Sequence, residues 1–153
     1  MRLSARPAYA YRTDPNVPAF DDHGPVVFMD GDCALCSRGA RWIARRDTDE
    51  RFSICPIQSP LGQAMLMHFD IDQTDPETWI LLHEGKGYTS LDAMIRVGAL
   101  LGGPGHLLTV LAPLPRAFQD WIYRRIARNR YALFGNTDMC AIPDPELRKR
   151  LVQ

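Results

Sequence analysis

The chain has 153 residues, 46% of them hydrophobic and 9% aromatic, which suffices for the buried core of one small domain. Its 18 basic and 18 acidic side chains cancel to a formal net charge of zero, and this balance argues against a nucleic-acid partner. No apolar run approaches the roughly 18 residues of a membrane span, so we expect no transmembrane segment.

The N-terminal residues 1–24 contain several arginines, aspartates and prolines and predict an irregular arm. They hold no apolar segment of the kind that a secretory signal peptide requires. We therefore expect a cytoplasmic protein. In that reducing compartment, paired cysteines are more often catalytic or metal-binding than structural.

The first strand is predicted at Val26–Met29, because four consecutive apolar residues are typical of a strand buried on both faces. The turn Asp30-Gly31-Asp32 follows. Asp32 is a suitable N-cap for a helix that runs from Cys33 to about Arg46. The motif Cys33-Ala-Leu-Cys36 therefore opens that helix.

Cysteines in this position are suited to thiol chemistry. The unpaired N–H groups and the dipole at a helix N-terminus stabilise a thiolate at Cys33, and the thiolate is the form that attacks disulfides. Cys36 lies one turn further on the same side of the helix and can resolve a mixed disulfide formed at Cys33. Since only Cys33 is predicted at an exposed helix start, we expect alkylating agents to modify it before the other cysteines.

Two other interpretations of the cysteine pair stay open. The pair could supply half of a zinc site, but Cys55 and Cys140 are isolated and the four histidines lack metal-ligand spacing. We therefore expect neither a metal nor another cofactor. The pair could also be structural, because free cysteines are among the most buried residues. Cys55 and Cys140 are interpreted as buried thiols, with a secondary resolving role as the alternative.

The remaining elements are predicted from apolar runs, helical periodicity and turn residues. They are a strand at 52–55 ended by Pro56, a helix at about 61–69 opened by Ser59-Pro60, strands at 78–83 and 88–89 joined by a glycine turn, a helix from 91 to about 101 capped by Ser90, and a helix at about 115–130. The elements thus follow the order βαβα and then ββα, which is expected of a thioredoxin-like sheet.

The last helix, at about 115–130, is interpreted as a cover of the sheet with a solvated, arginine-rich side. Binding to a membrane surface is the alternative.

Several motifs follow one another in a specific order along the chain. They are Asp30-x-x-Cys33-x-x-Cys36, Pro-Ile-Gln-Ser at 56–59, Gly-Tyr-Thr-Ser-Leu-Asp-Ala at 87–93 and the segment 123–135, which ends Ala-Arg-Asn-Arg-Tyr-Ala-Leu-Phe-Gly. With them the chain resembles the DCC family of predicted thiol-disulfide oxidoreductases over about residues 25–140. The resemblance implies an α/β thioredoxin-like fold and disulfide oxidoreductase activity.

We predict that the chain divides into three parts. These are an irregular N-terminal arm at 1–24, a thioredoxin-like domain with C-terminal helices at 25–140, and a C-terminal tail at 141–153.

Two departures from thioredoxin itself bear on the activity. Thioredoxin has a cis-proline directly before its third strand, whereas Pro76 is separated from Trp79 by two residues, so the role of Pro76 stays open. Ala34 and Leu35 offer a thiolate neither a side-chain hydrogen bond nor a charge. Strong oxidants stabilise their reduced form through such interactions. We therefore expect a reductase or exchange role on protein disulfides or on small thiols such as glutathione.

Asp30 and Ser90 are further candidate site residues. Asp30 could accept the proton of Cys36 when a mixed disulfide is resolved, or it could bind backbone N–H groups of its own turn. Ser90 could bind a carboxylate of glutathione together with neighbouring N–H groups, or it could only cap the helix.

The expected function is thiol-disulfide exchange at Cys33 and Cys36. The alternatives are metal binding by these two cysteines or a non-catalytic thioredoxin-like interaction module.

Overall fold

The computed structural model describes residues 3, 6–72, 79–139 and 144–152. Within these residues the strands are β1 (Val26–Met29), β2 (Ser53–Pro56), β3 (Ile80–His83) and β4 (Lys86–Thr89). The helices are α1 (Ala34–Arg46), α2 (Pro60–His68), α3 (Ser90–Leu101), α4 (Arg116–Phe134) and α5 (Pro145–Arg150), with 3-10 helices at Ala10–Thr13 and Gly103–Leu111. Only α5 and the two 3-10 helices were not predicted.

The strands form one sheet in the order β2-β1-β3-β4. Because α1 carries the chain back along the sheet, β1 and β2 are parallel, with Val27 opposite Ile54. β3 pairs antiparallel with β1, and β4 pairs antiparallel with β3 through the tight turn Glu84-Gly85. A βαβ unit followed by ββα, with a helical C-terminal extension, is the thioredoxin-like α/β fold that the sequence predicted.

β1 is buried on both faces because successive side chains of a strand point to opposite sides of the sheet. On one side Val26 and Phe28 pack with α2 and with Tyr11 of the N-terminal arm. On the other side Val27 and Met29 pack with α1, α3 and α5. The end of β1, from which the turn with the cysteine pair starts, is therefore held between two apolar layers.

Both terminal segments take part in the packing. The backbone N–H of Tyr9 donates to the carbonyl of Gly85 in the hairpin turn (2.8 Å). Near the other end, Leu147 of α5 is fully buried, and Arg150 forms a buried ion pair with Asp47 (Nε–Oδ2 3.3 Å). The division into arm, domain and tail stays a prediction, and these contacts extend the packing into the segments at both ends.

The start of α1 differs from the prediction. Its N-cap is Cys33 rather than Asp32, and no side chain caps this helix. The carboxylate of Asp32 instead accepts a hydrogen bond from the side-chain amide of Gln58 (3.3 Å). α2 begins as predicted, since Ser59 Oγ accepts from the backbone N–H of Gly62 (3.0 Å).

The 3-10 helix Gly103–Leu111 connects α3 to α4. A Cβ at Gly98 of α3 would lie 2.4 Å from the carbonyl oxygen of Gly105, so this close crossing requires glycine. The side-chain amide of Gln119 in α4 donates to the carbonyls of Leu111 and Leu114 (3.1 and 2.9 Å). These bonds fix the first turn of α4 against the end of the 3-10 helix.

In the part of the chain described here, no helix combines the length and the apolar character needed to cross a membrane.

Candidate active site

The cysteine pair lies at the carboxyl end of β1, where the sheet leads into α1. Cys33 is the N-cap of α1, and Cys36 lies in its first turn. Both are free thiols, and the thiol of Cys36 is hydrogen-bonded to Cys33. The structure therefore brings the two sulfurs together, as the spacing predicted.

The pKa values of the two thiols are shifted in opposite directions. The hydrogen bond from Cys36 is the largest effect at Cys33 and lowers the pKa of Cys33 to about 6, although burial raises it. The backbone N–H groups of Cys36 and Leu35 and the positive charge of Arg130 also lower it. The pKa of Cys36 is raised, because this thiol is the donor to Cys33 and because its partial burial disfavours the thiolate. At neutral pH the thiolate of the pair is thus on Cys33.

A C-terminal segment, residues 135–139, covers the redox turn; we refer to it as the covering segment. Three backbone hydrogen bonds hold this segment in place. The N–H of Ala34 donates to the carbonyl of Gly135 (3.2 Å). In the other direction, the N–H groups of Thr137 and Met139 donate to the carbonyls of Asp32 (2.9 Å) and Gly31 (2.8 Å), respectively. Cys33 pairs with Asn136 and has no exposed surface, whereas Cys36 is half-buried. The prediction of an exposed Cys33 is wrong, because helix position alone does not reveal which distant segment packs over the turn.

Asp30 is buried and accepts four hydrogen bonds. Its Oδ2 accepts from Arg130 Nη2 (2.7 Å) and from the hydroxyl of Tyr131. Its Oδ1 accepts from Gln58 Nε2 (2.7 Å) and from the backbone N–H of Asp32 (3.0 Å). The bond to Asp32 is the turn-holding role foreseen for Asp30, and the role as a proton acceptor stays a prediction. The guanidinium compensates the buried carboxylate, which would otherwise be strongly unfavourable.

Three residues of this network were not predicted as site residues. Gln58, after β2, also accepts from the backbone N–H of Gly31 through its Oε1 (3.0 Å). Arg130 and Tyr131 lie near the end of α4, and burial, followed by the hydrogen bond to Asp30, raises the pKa of Tyr131 to about 12. All three belong to the motifs at 56–59 and 123–135. The motifs were therefore the available signal, but their contact with Asp30 depends on the tertiary fold.

Ser90 lies at the same edge of the sheet as the cysteine pair. Thr89 is opposite Ile80, and Ile80 is opposite Phe28 near the end of β1. The N-cap of α3 is Thr89, so the prediction that Ser90 caps this helix is wrong. Ser90 is the first helical residue, with a left-handed φ of 56°, and its buried hydroxyl lies 3.3 Å from that of Thr89. A left-handed residue other than glycine costs about 1–3 kcal/mol and is often found at functional sites.

The structure describes one further cysteine, Cys55. Its thiol is buried, as predicted. Its Sγ lies 3.2 Å from the hydroxyl of Ser59, and burial raises its pKa. Cys140 and Pro76 lie outside the described residues. Among the residues that are described, no group of three His, Cys, Asp or Glu side chains could hold a metal ion. The absence of a metal in the working protein stays a prediction.

Comparisons with known proteins point to one family. Residues 27–136 match the model of the DCC1-like thiol-disulfide oxidoreductases. The uncharacterized protein YuxK of Bacillus subtilis is 32% identical over 127 residues, which cover 83% of this chain and 93% of the relative. A chloroplastic DCC family protein of Arabidopsis thaliana is 26% identical over 123 residues, or 80% of this chain and 72% of that protein. No solved structure gives a significant match.

Proposed function

Since the chain belongs to the DCC1-like thiol-disulfide oxidoreductase family, we propose that it exchanges a dithiol at Cys33 and Cys36 with substrate disulfides. The observation that carries this proposal is the hydrogen bond from the Cys36 thiol to Cys33 at the first turn of α1. It favours a thiolate on Cys33 and keeps Cys36 protonated until the second step. We place this activity in a reducing compartment such as the cytoplasm, where paired cysteines are more often catalytic or metal-binding than structural.

The reaction proceeds in two exchange steps. The Cys33 thiolate attacks one sulfur of the substrate disulfide, forms a mixed disulfide and displaces the other sulfur as a thiolate. Cys36 then loses its proton and attacks the Cys33 sulfur, which releases the second substrate thiolate. The substrate gains two electrons, and the protein is left with a Cys33–Cys36 disulfide. A thiol or dithiol reductant restores the starting state by the reverse exchange.

Asp30 is the proposed acceptor of the Cys36 proton, beside its role in holding the turn. The pKa of Cys36 is raised mainly by its hydrogen bond to Cys33 and by burial, and the charge of Asp30 adds to these effects, so Asp30 acts at that thiol. The residues between the cysteines, Ala34 and Leu35, provide no side-chain stabilisation of the reduced form, which favours reductase or exchange activity. For a substrate sulfur to approach Cys33, the covering segment has to move away, since Cys33 itself has no exposed surface.

The pH dependence of alkylation tests the thiolate on Cys33. We expect the rate of iodoacetamide modification at Cys33 to rise with pH around a midpoint of about 6, because only the thiolate reacts. Brief labelling at a series of pH values, followed by peptide mapping, measures this midpoint even though the covering segment slows the reaction. In Cys36→Ala, which lacks the hydrogen bond, the midpoint should move to higher pH. Labelling of Cys55 before Cys33, or a midpoint at the ordinary thiol pKa, would contradict the assignment.

We also propose that the hydroxyl of Ser90 and the neighbouring N–H groups bind a carboxylate of glutathione. Ser90 lies at the redox edge of the sheet, and its left-handed backbone is typical of functional positions. Ser90→Ala and Ser90→Gly should both slow the formation of the glutathione mixed disulfide at Cys33, which mass spectrometry follows. Because glycine tolerates the left-handed backbone, the Ser90→Gly variant separates the loss of the hydroxyl from backbone strain. If Ser90→Gly exchanged at the wild-type rate, the hydroxyl would have no role in binding.

A further inference from the structure

Exposed apolar side chains are concentrated in one part of the molecule. Of the ten large hydrophobic side chains that are exposed among the described residues, seven lie between positions 107 and 133. They are Leu107, Val110, Phe118, Trp121, Ile126, Tyr131 and Leu133. Single exposed apolar residues are ordinary, whereas adjoining exposed apolar side chains mark a surface that contacts something other than water.

On α4 two exposed aromatic side chains, Phe118 and Trp121, share one face. Gln119, Ala127 and Arg130 are the buried residues of this helix and define its inner face. Helical periodicity places Phe118 and Trp121 on the opposite side. Their rings stack with centroids 5.9 Å apart, and Trp121 is 59% exposed. Two large aromatic rings thus face solvent together, with no described part of the chain packed over them.

The same segment carries a strong positive charge. Residues 103–134 contain five arginines and one aspartate. Arg130 is buried and paired with Asp30, and the other four arginines are exposed, so the solvent-facing side chains of this segment carry a net charge of +3. Arg124 and Arg125 are exposed and follow Trp121 by three and four residues. The outer side of α4 therefore presents aromatic rings next to guanidinium groups. The hydrogen bonds of Gln119 hold this helix and the 3-10 helix, with its exposed Leu107, in one unit.

We propose that this α4 surface, defined by Phe118, Trp121, Arg124 and Arg125, binds the interface of an anionic lipid bilayer. Helices that lie in the membrane plane combine apolar and aromatic residues with Lys or Arg, and anionic headgroups attract that positive charge. Indole rings favour the boundary between hydrocarbon and water. A second copy of the chain is a poorer fit, because a self-complementary contact would bring two surfaces of equal positive charge together.

Such binding would hold the redox site near the membrane surface. The helix that carries Trp121 also carries Arg130, which bonds to Asp30 beside the cysteines. At a rise of about 1.5 Å per residue, these two positions of α4 are roughly 14 Å apart along the axis. Vesicle binding is nevertheless independent of the thiols, so its outcome and that of the exchange reaction can be told apart.

Co-sedimentation with vesicles tests the proposal. We expect the wild-type protein to bind vesicles of equal parts phosphatidylglycerol and phosphatidylcholine, to bind pure phosphatidylcholine much more weakly, and to be released by added salt. Arg124→Gln/Arg125→Gln should lower the affinity roughly 30-fold, since each basic residue near an anionic surface contributes about fivefold. The matched control, Arg148→Gln/Lys149→Gln on α5, removes the same charge elsewhere and should bind like the wild type.

A second pair of variants tests the aromatic contribution without any change of charge. Phe118→Ser/Trp121→Ser should lose most of the binding, whereas Met67→Ser, at an apolar position on α2 that is as exposed as Phe118, should keep it. Absence of wild-type binding, or equal losses in test and control variants, would overturn the proposal. So would a lipid-free dimer in analytical ultracentrifugation that Phe118→Ser/Trp121→Ser dissociates, because the occupant of the surface would then be a second copy.

Discussion

Cys33→Ser should abolish the reduction of insulin disulfides, with a loss on the order of 10³-fold or more, to the background rate of the added thiol. A serine hydroxyl is not ionised at neutral pH and cannot replace the thiolate that attacks the substrate. Cys36→Ser should stop the reaction one step later, because Cys33 can still attack but nothing resolves the mixed disulfide. Turbidity follows the reduction, and mass spectrometry of the non-reduced protein detects substrate joined to Cys33.

Cys55→Ala is the matched control for these substitutions. Cys55 is a buried thiol that is hydrogen-bonded to Ser59, and it lies in the apolar layer on the α2 side of the sheet. Its loss should therefore leave the reduction rate per folded molecule unchanged. The oxidised wild type should contain a Cys33–Cys36 disulfide that dithiothreitol reduces without unfolding the protein. Full activity of Cys33→Ser would contradict the proposed function. Stoichiometric zinc that is lost in this variant would support the metal-binding alternative instead.

Arg130→Met should destabilise the protein by about 3–5 kcal/mol, because it leaves the buried carboxylate of Asp30 without its charge partner. Urea unfolding monitored by circular dichroism measures this loss. The substitution also removes the positive charge that lowers the pKa of Cys33. The midpoint of Cys33 alkylation should therefore move to higher pH, and reactivity just above pH 6 should fall.

Two variants separate the charge effect from damage to the fold. Arg130→Lys keeps the positive charge, so its alkylation midpoint should stay closer to that of the wild type. Asp30→Asn removes the negative charge that raises the pKa of Cys36, so the pKa of Cys36 should fall. In the Asp30→Asn/Arg130→Met double variant, the loss of stability should be smaller than the sum of the single losses. If the losses added and the midpoint did not move, the buried pair would not be coupled to the thiols.

The local part of this structure follows from the sequence. β1 was predicted at its observed bounds because an apolar run bounded by Pro25 and an Asp-Gly turn has few alternatives. The helix with the cysteine pair and the glycine hairpin were predicted for the same reason, since periodicity and turn residues act over a few positions. The motif at residues 30–36 likewise identified the pair of thiols, because their spacing alone sets them one helical turn apart.

Only the tertiary structure decided what surrounds those thiols. The burial of Cys33 comes from the covering segment, and the carboxylate of Asp30 is paired with Arg130, which lies 100 residues further along the chain. The N-cap predicted for α3 was wrong because α3 begins one residue earlier, at Ser90 itself. The N-cap predicted for α1 was wrong because Gln58, 26 residues away, hydrogen-bonds to Asp32. Such contacts depend on which distant segments meet after folding, and no local pattern of residues carries that information.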